Sequence, residues 1–80
     1  MRYKVGDKVV IRDDLDIGTK YYVENRNESS MWVKGMSEFI GEQEISSISS
    51  FRYRIKADNQ PEWVRFNFTD EMIDHKRPQS

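Results

Sequence analysis

From residue 51 to 56 the chain reads Phe, Arg, Tyr, Arg, Ile, Lys, apolar and basic in strict turn. Such period-2 alternation marks a strand with one buried and one solvated face. The run from Glu62 to Phe68 alternates again, with Val64, Phe66 and Phe68 on one face and Trp63, Arg65 and Asn67 on the other. Between the two runs lie Ala57, Asp58, Asn59, Gln60 and Pro61, a polar connection of the kind that joins hairpin strands. This hairpin frames the expected fold.

The remaining elements are shorter. Tyr3, Val5, Val9 and Ile11 fall on odd positions against Arg2, Lys4, Lys8 and Arg12 on even ones, predicting a half-buried first strand broken near Gly6 and Asp7. Val10 is the exception, an apolar residue on the basic face. Residues 13–30 are turn-rich and polar and read as a long connecting loop, with a short extended piece at Tyr21, Tyr22 and Val23. Trp32, Met36, Phe39 and Ile40 share one helical face, predicting a short helix capped by Ser30 and ended by Gly41. A strand over 42–46 places Glu42 and Glu44 outward and Ile45 inward, and residues 46–50 form a serine-rich turn into the hairpin. Thr69 is expected to cap a single helical turn through Asp70, Glu71 and Met72. Residues from Asp74 onward read as a polar tail.

The expected fold class is therefore mainly β, a small SH3-like antiparallel barrel with one short helix or helical turn. The alternative is an open antiparallel sheet plus one helix. One domain is expected over 1–74, with 75–80 as a polar C-terminal tail. A chain of 80 residues buries only roughly 60% of its unfolded surface, so each large apolar side chain matters to the core. Its two Trp, four Tyr and four Phe offset the low apolar content of 36%.

Charge narrows the function classes. Charged residues make up 34% of the chain, yet the net charge is −1, without the basic excess of a general nucleic-acid binder. Cysteine is absent, which excludes disulfides and thiolate metal sites. The first residues open into a strand pattern with no apolar signal region, and no apolar run reaches the length of a membrane span, so a cytoplasmic location is expected.

At this level the residues resemble a group of short phage and prophage proteins of Gram-positive bacteria. The pieces that carry the likeness are Val5-Gly6-Asp7-Lys8-Val9-Val10-Ile11-Arg12, then Leu15 with Gly18 and Tyr21, then residues 36–41, and finally Thr69-Asp70-Glu71-Met72. The resemblance spans the chain to about Ile73 and implies an SH3-like barrel in a host cell's cytoplasm. It carries no catalytic residue. One departure falls before the last turn, where the group tends to have tryptophan and this chain has Phe66-Asn67-Phe68.

The binding candidates lie mainly on the hairpin's solvated face. With Ile55 opposite Val64, Lys56 faces Trp63, Arg54 faces Arg65 and Arg52 faces Asn67. Two arginines directly opposed are unfavourable unless an anion or an acidic partner sits between them. The competing reading pairs Ile45 with Tyr53, setting Glu44 against Arg54 and Glu42 against Lys56 in a neutralised ladder. Trp63, pointing outward among cations, has the composition of an interface hot spot and could also stack a nucleobase; under the 13–30 loop it would instead be secondary core. One of Tyr21 and Tyr22 must face solvent, and the acidic Asp13, Asp14 and Asp16 nearby match SH3-type grooves for basic, proline-rich ligands. Asp14 to Gly18 only brushes a calcium-loop pattern, so no metal site is expected. His75 is the single histidine, and no nucleophile–base pair is visible, so no enzyme and no cofactor are expected.

The expected function is a non-enzymatic protein-binding module docking on a host or phage protein through Trp63, Arg65, Arg54, Lys56, Tyr21 and Tyr22, with modulation of a host process or defence system as its use. The alternative is a nucleic-acid-binding module on the same basic and aromatic face.

Overall fold

A computed structural model describes residues 2–76. The chain is mainly β, built from two antiparallel sheets with three short 3₁₀ turns. β1 (Lys8–Ile11), β4 (Gly41–Ser49) and β5 (Arg52–Ile55) form one sheet in the order β1-β4-β5. β2 (Lys20–Tyr22) and β3 (Ser29–Met31) form a separate hairpin inside the stretch expected as loop.

β1 differs from its predicted alternation. Val9, Val10 and Ile11 are all buried, because the chain after the last 3₁₀ turn lies along its outer edge. Arg12 N–H donates to the Met72 carbonyl at 2.9 Å and Asp74 N–H to the Val10 carbonyl at 2.8 Å, about a bridge between Ile11 and Ile73. Val10, expected on a solvated face, is 8% exposed in this paired setting. Val5, expected inside, is 58% exposed: a turn at Gly6, whose φ is 94°, breaks the alternation there, while Tyr3 before it still packs against the core.

β4 runs to Ser49, beyond the predicted turn at 46–50, and turns back through Ser50 and Phe51. Both of those residues have positive φ, 51° and 64°, as a two-residue type I′ hairpin turn requires. The register against β5 is Ile45 to Ile55, then Ile48 to Tyr53, with an irregularity between Ile45 and Ser47. Neither predicted ladder therefore forms. Arg54 stands opposite Ser47 and Arg52 opposite Ser49, with no glutamate across from either.

The hairpin's second strand is the largest correction. Residues 62–64 form a 3₁₀ turn, and only Phe68 bridges β5, exchanging two backbone hydrogen bonds with Tyr53 at 2.7 and 2.8 Å. Pro61 has no N–H to place in a ladder, and Asp58 folds the loop back on itself, as described below. One C-terminal segment thus bridges β5 at Phe68 and β1 at Ile73.

The predicted helix is a 3₁₀ helix over Lys34–Phe39, and Ser30 belongs to β3. Spacing of three, at Val33, Met36 and Phe39, suits that tighter winding. Met36 and Phe39 are buried, whereas Ile40 is 40% exposed. Gly41 ends the turn with φ 103°, the left-handed conformation expected of it. The core gathers Val9, Ile11, Trp32, Met36, Phe39, Ile45, Tyr53, Ile55, Phe68, Met72 and Ile73 around one centre. Trp32 and Phe39 meet Phe68 edge to face, at 6.2 and 6.4 Å between centroids. No helix among the described residues is long and apolar enough to cross a membrane.

Candidate functional site

Trp63 is 84% exposed at the end of a loop that is otherwise firmly held. The holding residue is Asp58, which is 1% exposed. Its Oδ1 accepts from the Gln60 backbone and side-chain amides at 3.2 and 3.1 Å, and its Oδ2 accepts from Phe66 N–H at 2.8 Å. Burial alone would disfavour the charge, but these amide donors outweigh it, and the carboxyl is held below its ordinary range. Asp58 thereby joins the start of the loop to its end. The 3₁₀ turn Glu62–Val64 between them pushes Trp63 and the 45%-exposed Val64 into solvent.

Two further contacts anchor the loop to the body. The Phe66 ring packs edge to face on Phe39 at 6.1 Å and lies over Gly35, where a Cβ would come within 2.7 Å of Phe66 Cζ. The Arg54 guanidinium, largely covered, donates to Glu62 Oε1 at 3.0 Å and to Asn67 Oδ1 at 3.3 Å.

The predicted site residues divide accordingly. Trp63 faces solvent, though from a 3₁₀ turn and not from the strand on which parity placed it. Arg54 and Arg65 do not oppose one another: Arg54 is engaged by Glu62 and Asn67, and Arg65 Nε donates to the Gln60 carbonyl at 2.9 Å. Both arginines brace the loop that presents Trp63. Lys56 is exposed, and its backbone N–H donates to the Glu44 carbonyl at 2.9 Å.

Tyr21 and Tyr22 belong to a different place. The Tyr21 hydroxyl accepts from Asp16 N–H at 2.9 Å, and the side chain is half-buried against the core. Tyr22, 44% exposed, lines a cleft of 670 Å³ with Arg12, Glu24, Glu71 and His75. Among the described residues no hydrogen bond or ring contact joins either tyrosine to the Trp63 loop.

That cleft covers a polar cluster the sequence did not reveal. Asp70, 4% exposed, accepts from the Tyr53 hydroxyl at 2.7 Å and from Glu24 N–H at 2.9 Å. Burial, with the Asp70 hydrogen bond second, pushes the Tyr53 phenol far up. Glu71 Oε1 accepts from Tyr22 N–H at 2.6 Å, so two carboxylates satisfy the outward amides of the β2 hairpin. His75 is no frayed tail residue. Its ring stacks on Tyr3 at 5.6 Å, with Nδ1 2.6 Å from the Tyr3 hydroxyl and Nε2 2.8 Å from the Asp70 carbonyl. Residues 77–80 of the expected tail lie outside the described residues. Thr69 occupies the predicted cap position, but its buried hydroxyl has no hydrogen-bond partner.

Chemically, the cleft is internally neutralised. Arg12 makes a two-pronged contact with Asp14, at 2.9 and 3.1 Å, and donates to the Glu71 carbonyl at 2.7 Å. Arg2 reaches Glu24 at 3.2 Å, and Arg26 reaches Glu28 at 3.0 Å while lying 3.6 Å over the Phe51 ring. Among the described residues no group of three or more His, Asp or Glu side chains is arranged to hold a metal ion. The Trp63 loop offers the more exposed apolar surface, fixed in place by a buried carboxylate. Compared with known proteins, the chain matches no family model, no curated protein and no solved structure.

Proposed function

We propose that this chain is a non-enzymatic protein-docking module that engages its partner through the tip of the 58–66 loop. The observation that carries the reading is Trp63, 84% exposed on a loop clamped by the buried Asp58. An exposed tryptophan on a clamped loop has the make-up of a hot-spot anchor, and pre-organisation of the loop lowers the entropy lost on binding. Val64 widens the apolar tip, and Glu62, Arg65 and Lys56 supply a polar rim of mixed charge.

The architecture that suits this role is an SH3-like barrel. In favour of it, Phe68 bridges β5 and Ile73 bridges β1, so the C-terminal segment reaches both outer strands of the sheet β1-β4-β5. The sequence likeness to short phage and prophage proteins makes a host or phage protein in the cytoplasm the partner class, with modulation of a host process or defence system as the outcome. The net charge of −1, and the engagement of Arg54 and Arg65 within the loop, weigh against nucleic acid as the ligand.

The test is affinity capture from a host cell with and without nuclease, using the wild-type chain and Trp63→Ala. A defined protein retained after nuclease and lost with Trp63→Ala is the expected result. Recovery of nucleic acid alone would replace the docking reading with the nucleic-acid one. A partner retained by Trp63→Ala would move the docking face elsewhere.

A further inference from the structure

β4 is longer than either neighbour. β1 pairs with Gly41 to Glu44, and the Gly6–Ile45 and Asp7–Ile45 hydrogen bonds, each 2.9 Å, extend that cover by one residue. β5 pairs with Ile45 to Ser49 from the opposite side. Past Ile45 the chain preceding β1 leaves the sheet, because Asp7 N–H closes a turn onto the Lys4 carbonyl at 3.0 Å and Gly6 takes φ 94°.

Ile48 is the residue this turn uncovers. Its β5 partner Tyr53 directs both backbone groups to Phe68, so Ile48 and Tyr53 form a non-hydrogen-bonded pair. The Ile48 N–H and C=O therefore point away from β5, and neither meets a hydrogen-bond partner among the described residues. Ile48 is half-buried, its side chain packed against the core, and its edge-facing backbone groups are open to pairing.

We propose that this edge of β4 pairs antiparallel with the same edge of a second copy of the chain, about a two-fold axis midway between the two Ile48 residues. Residues 46–50 read Ser, Ser, Ile, Ser, Ser, the same in both directions. A two-fold contact needs a self-complementary patch, and this stretch supplies one. Ile48 falls opposite Ile48 of the copy and exchanges two N–H to C=O hydrogen bonds with it, while Ser47 falls opposite Ser49. The stretch holds no charged residue and no proline, the usual guards of an exposed strand edge. The left-handed Ser50 ends the ladder early, so the contact is small and the dimer forms only at high concentration. The edge is separate from the Trp63 loop and does not depend on the docking reading.

The experiment follows sedimentation and Ile48 amide hydrogen exchange from micromolar to millimolar protein. The expected result is a rise in mass toward a dimer, with Ile48 exchange slowed about tenfold once dimer predominates. A charge exchange then locates the contact. Ser47→Lys with Ser49→Lys, and separately Ser47→Glu with Ser49→Glu, should each stay monomeric, and the two mixed should form the mixed dimer. Circular dichroism establishes that each variant is folded; if one is not, the wild-type Ile48 exchange decides alone. Three results would overturn the proposal: a monomer at every concentration with Ile48 exchange unchanged, a dimer that survives both charge variants, or protection of Ile48 only by an extended peptide from another protein.

Discussion

The Asp58 carboxylate lies 2.8 Å from the Phe66 amide, so a buried charge near the start of one loop fixes the backbone eight residues later. Removing it frees three amide donors, two of Gln60 and one of Phe66, and leaves the Trp63 tip without its clamp. Asp58→Ala is expected to cost about 1–3 kcal/mol, read from urea unfolding. Because the folded-state pKa is lowered, the charge contributes stability above the unfolded value of about 3.9 and loses it as pH falls through the folded value. The stability gap between wild type and Asp58→Ala should therefore narrow in acid and be constant near neutrality.

Trp63 separates binding from folding. With 84% of it already in solvent, Trp63→Ala should change stability by less than about 0.5 kcal/mol. Its effect on affinity for a captured partner should exceed about 2 kcal/mol, the scale of a hot spot. Calorimetry on the purified pair and thermal unfolding of the free chain measure the two quantities. A large stability loss would show that the tip serves the fold instead.

Tyr53→Phe removes the hydroxyl that donates to Asp70 at 2.7 Å and accepts from Tyr3 N–H at 3.3 Å. The expected cost is about 1–3 kcal/mol, because Asp70 stays buried with one donor fewer. The folded-state pKa of Tyr53 is raised, so its contribution is complete below the unfolded value of about 10 and fades as pH rises through the folded one. Alkaline unfolding should therefore be shallower in Tyr53→Phe than in wild type.

Gly35 tests how the loop is seated. A methyl group there meets the Phe66 ring at 2.7 Å, so Gly35→Ala must displace that ring from Phe39. Overpacking of this kind costs about 1–3 kcal/mol. Phe66→Leu in the same chain should recover part of the loss, measurable as a double-mutant cycle in guanidinium.

The turn at Ser50 and Phe51 stores strain. Both residues have positive φ, and a bulky aromatic side chain tolerates that region poorly. Ser50→Asn with Phe51→Gly supplies the residues a type I′ turn favours. The pair should raise stability by about 1 kcal/mol, less whatever the Arg26 stack on Phe51 contributes, and thermal unfolding reads the sum.

The sequence patterns were readable where local rules govern and failed where distant segments met. Alternation at Tyr53 and Ile55 and the glycine stop at Gly41 describe the structure, whereas the helical face drawn through Trp32, Met36, Phe39 and Ile40 gives way to a 3₁₀ helix that leaves Ile40 exposed. The interval of three between Ile45 and Ile48, both core-facing, breaks period two and was the available sign of the irregularity that defeats the Glu44–Arg54 ladder. Trp63 is exposed on a 3₁₀ turn and not by strand parity, since Val64 beside it is exposed too, and the loop's geometry depends on the buried Asp58, which in sequence looks like any polar turn residue. The cluster of Tyr3, Tyr53, Asp70 and His75 joins residues from both ends of the chain. No local pattern encodes such a meeting.

The C-terminal segment that bridges β5 at Phe68 and β1 at Ile73 has a consequence during synthesis. Neither outer strand of the sheet can be completed until the last residues of this domain leave the ribosome, since the same short stretch serves both. The decisive step of folding is therefore governed by loop closure across nearly the whole of this domain. A premature stop before Phe68 would release a chain with both outer strands uncovered and Tyr53 lacking its backbone partner, a species fit for degradation or aggregation and not for binding.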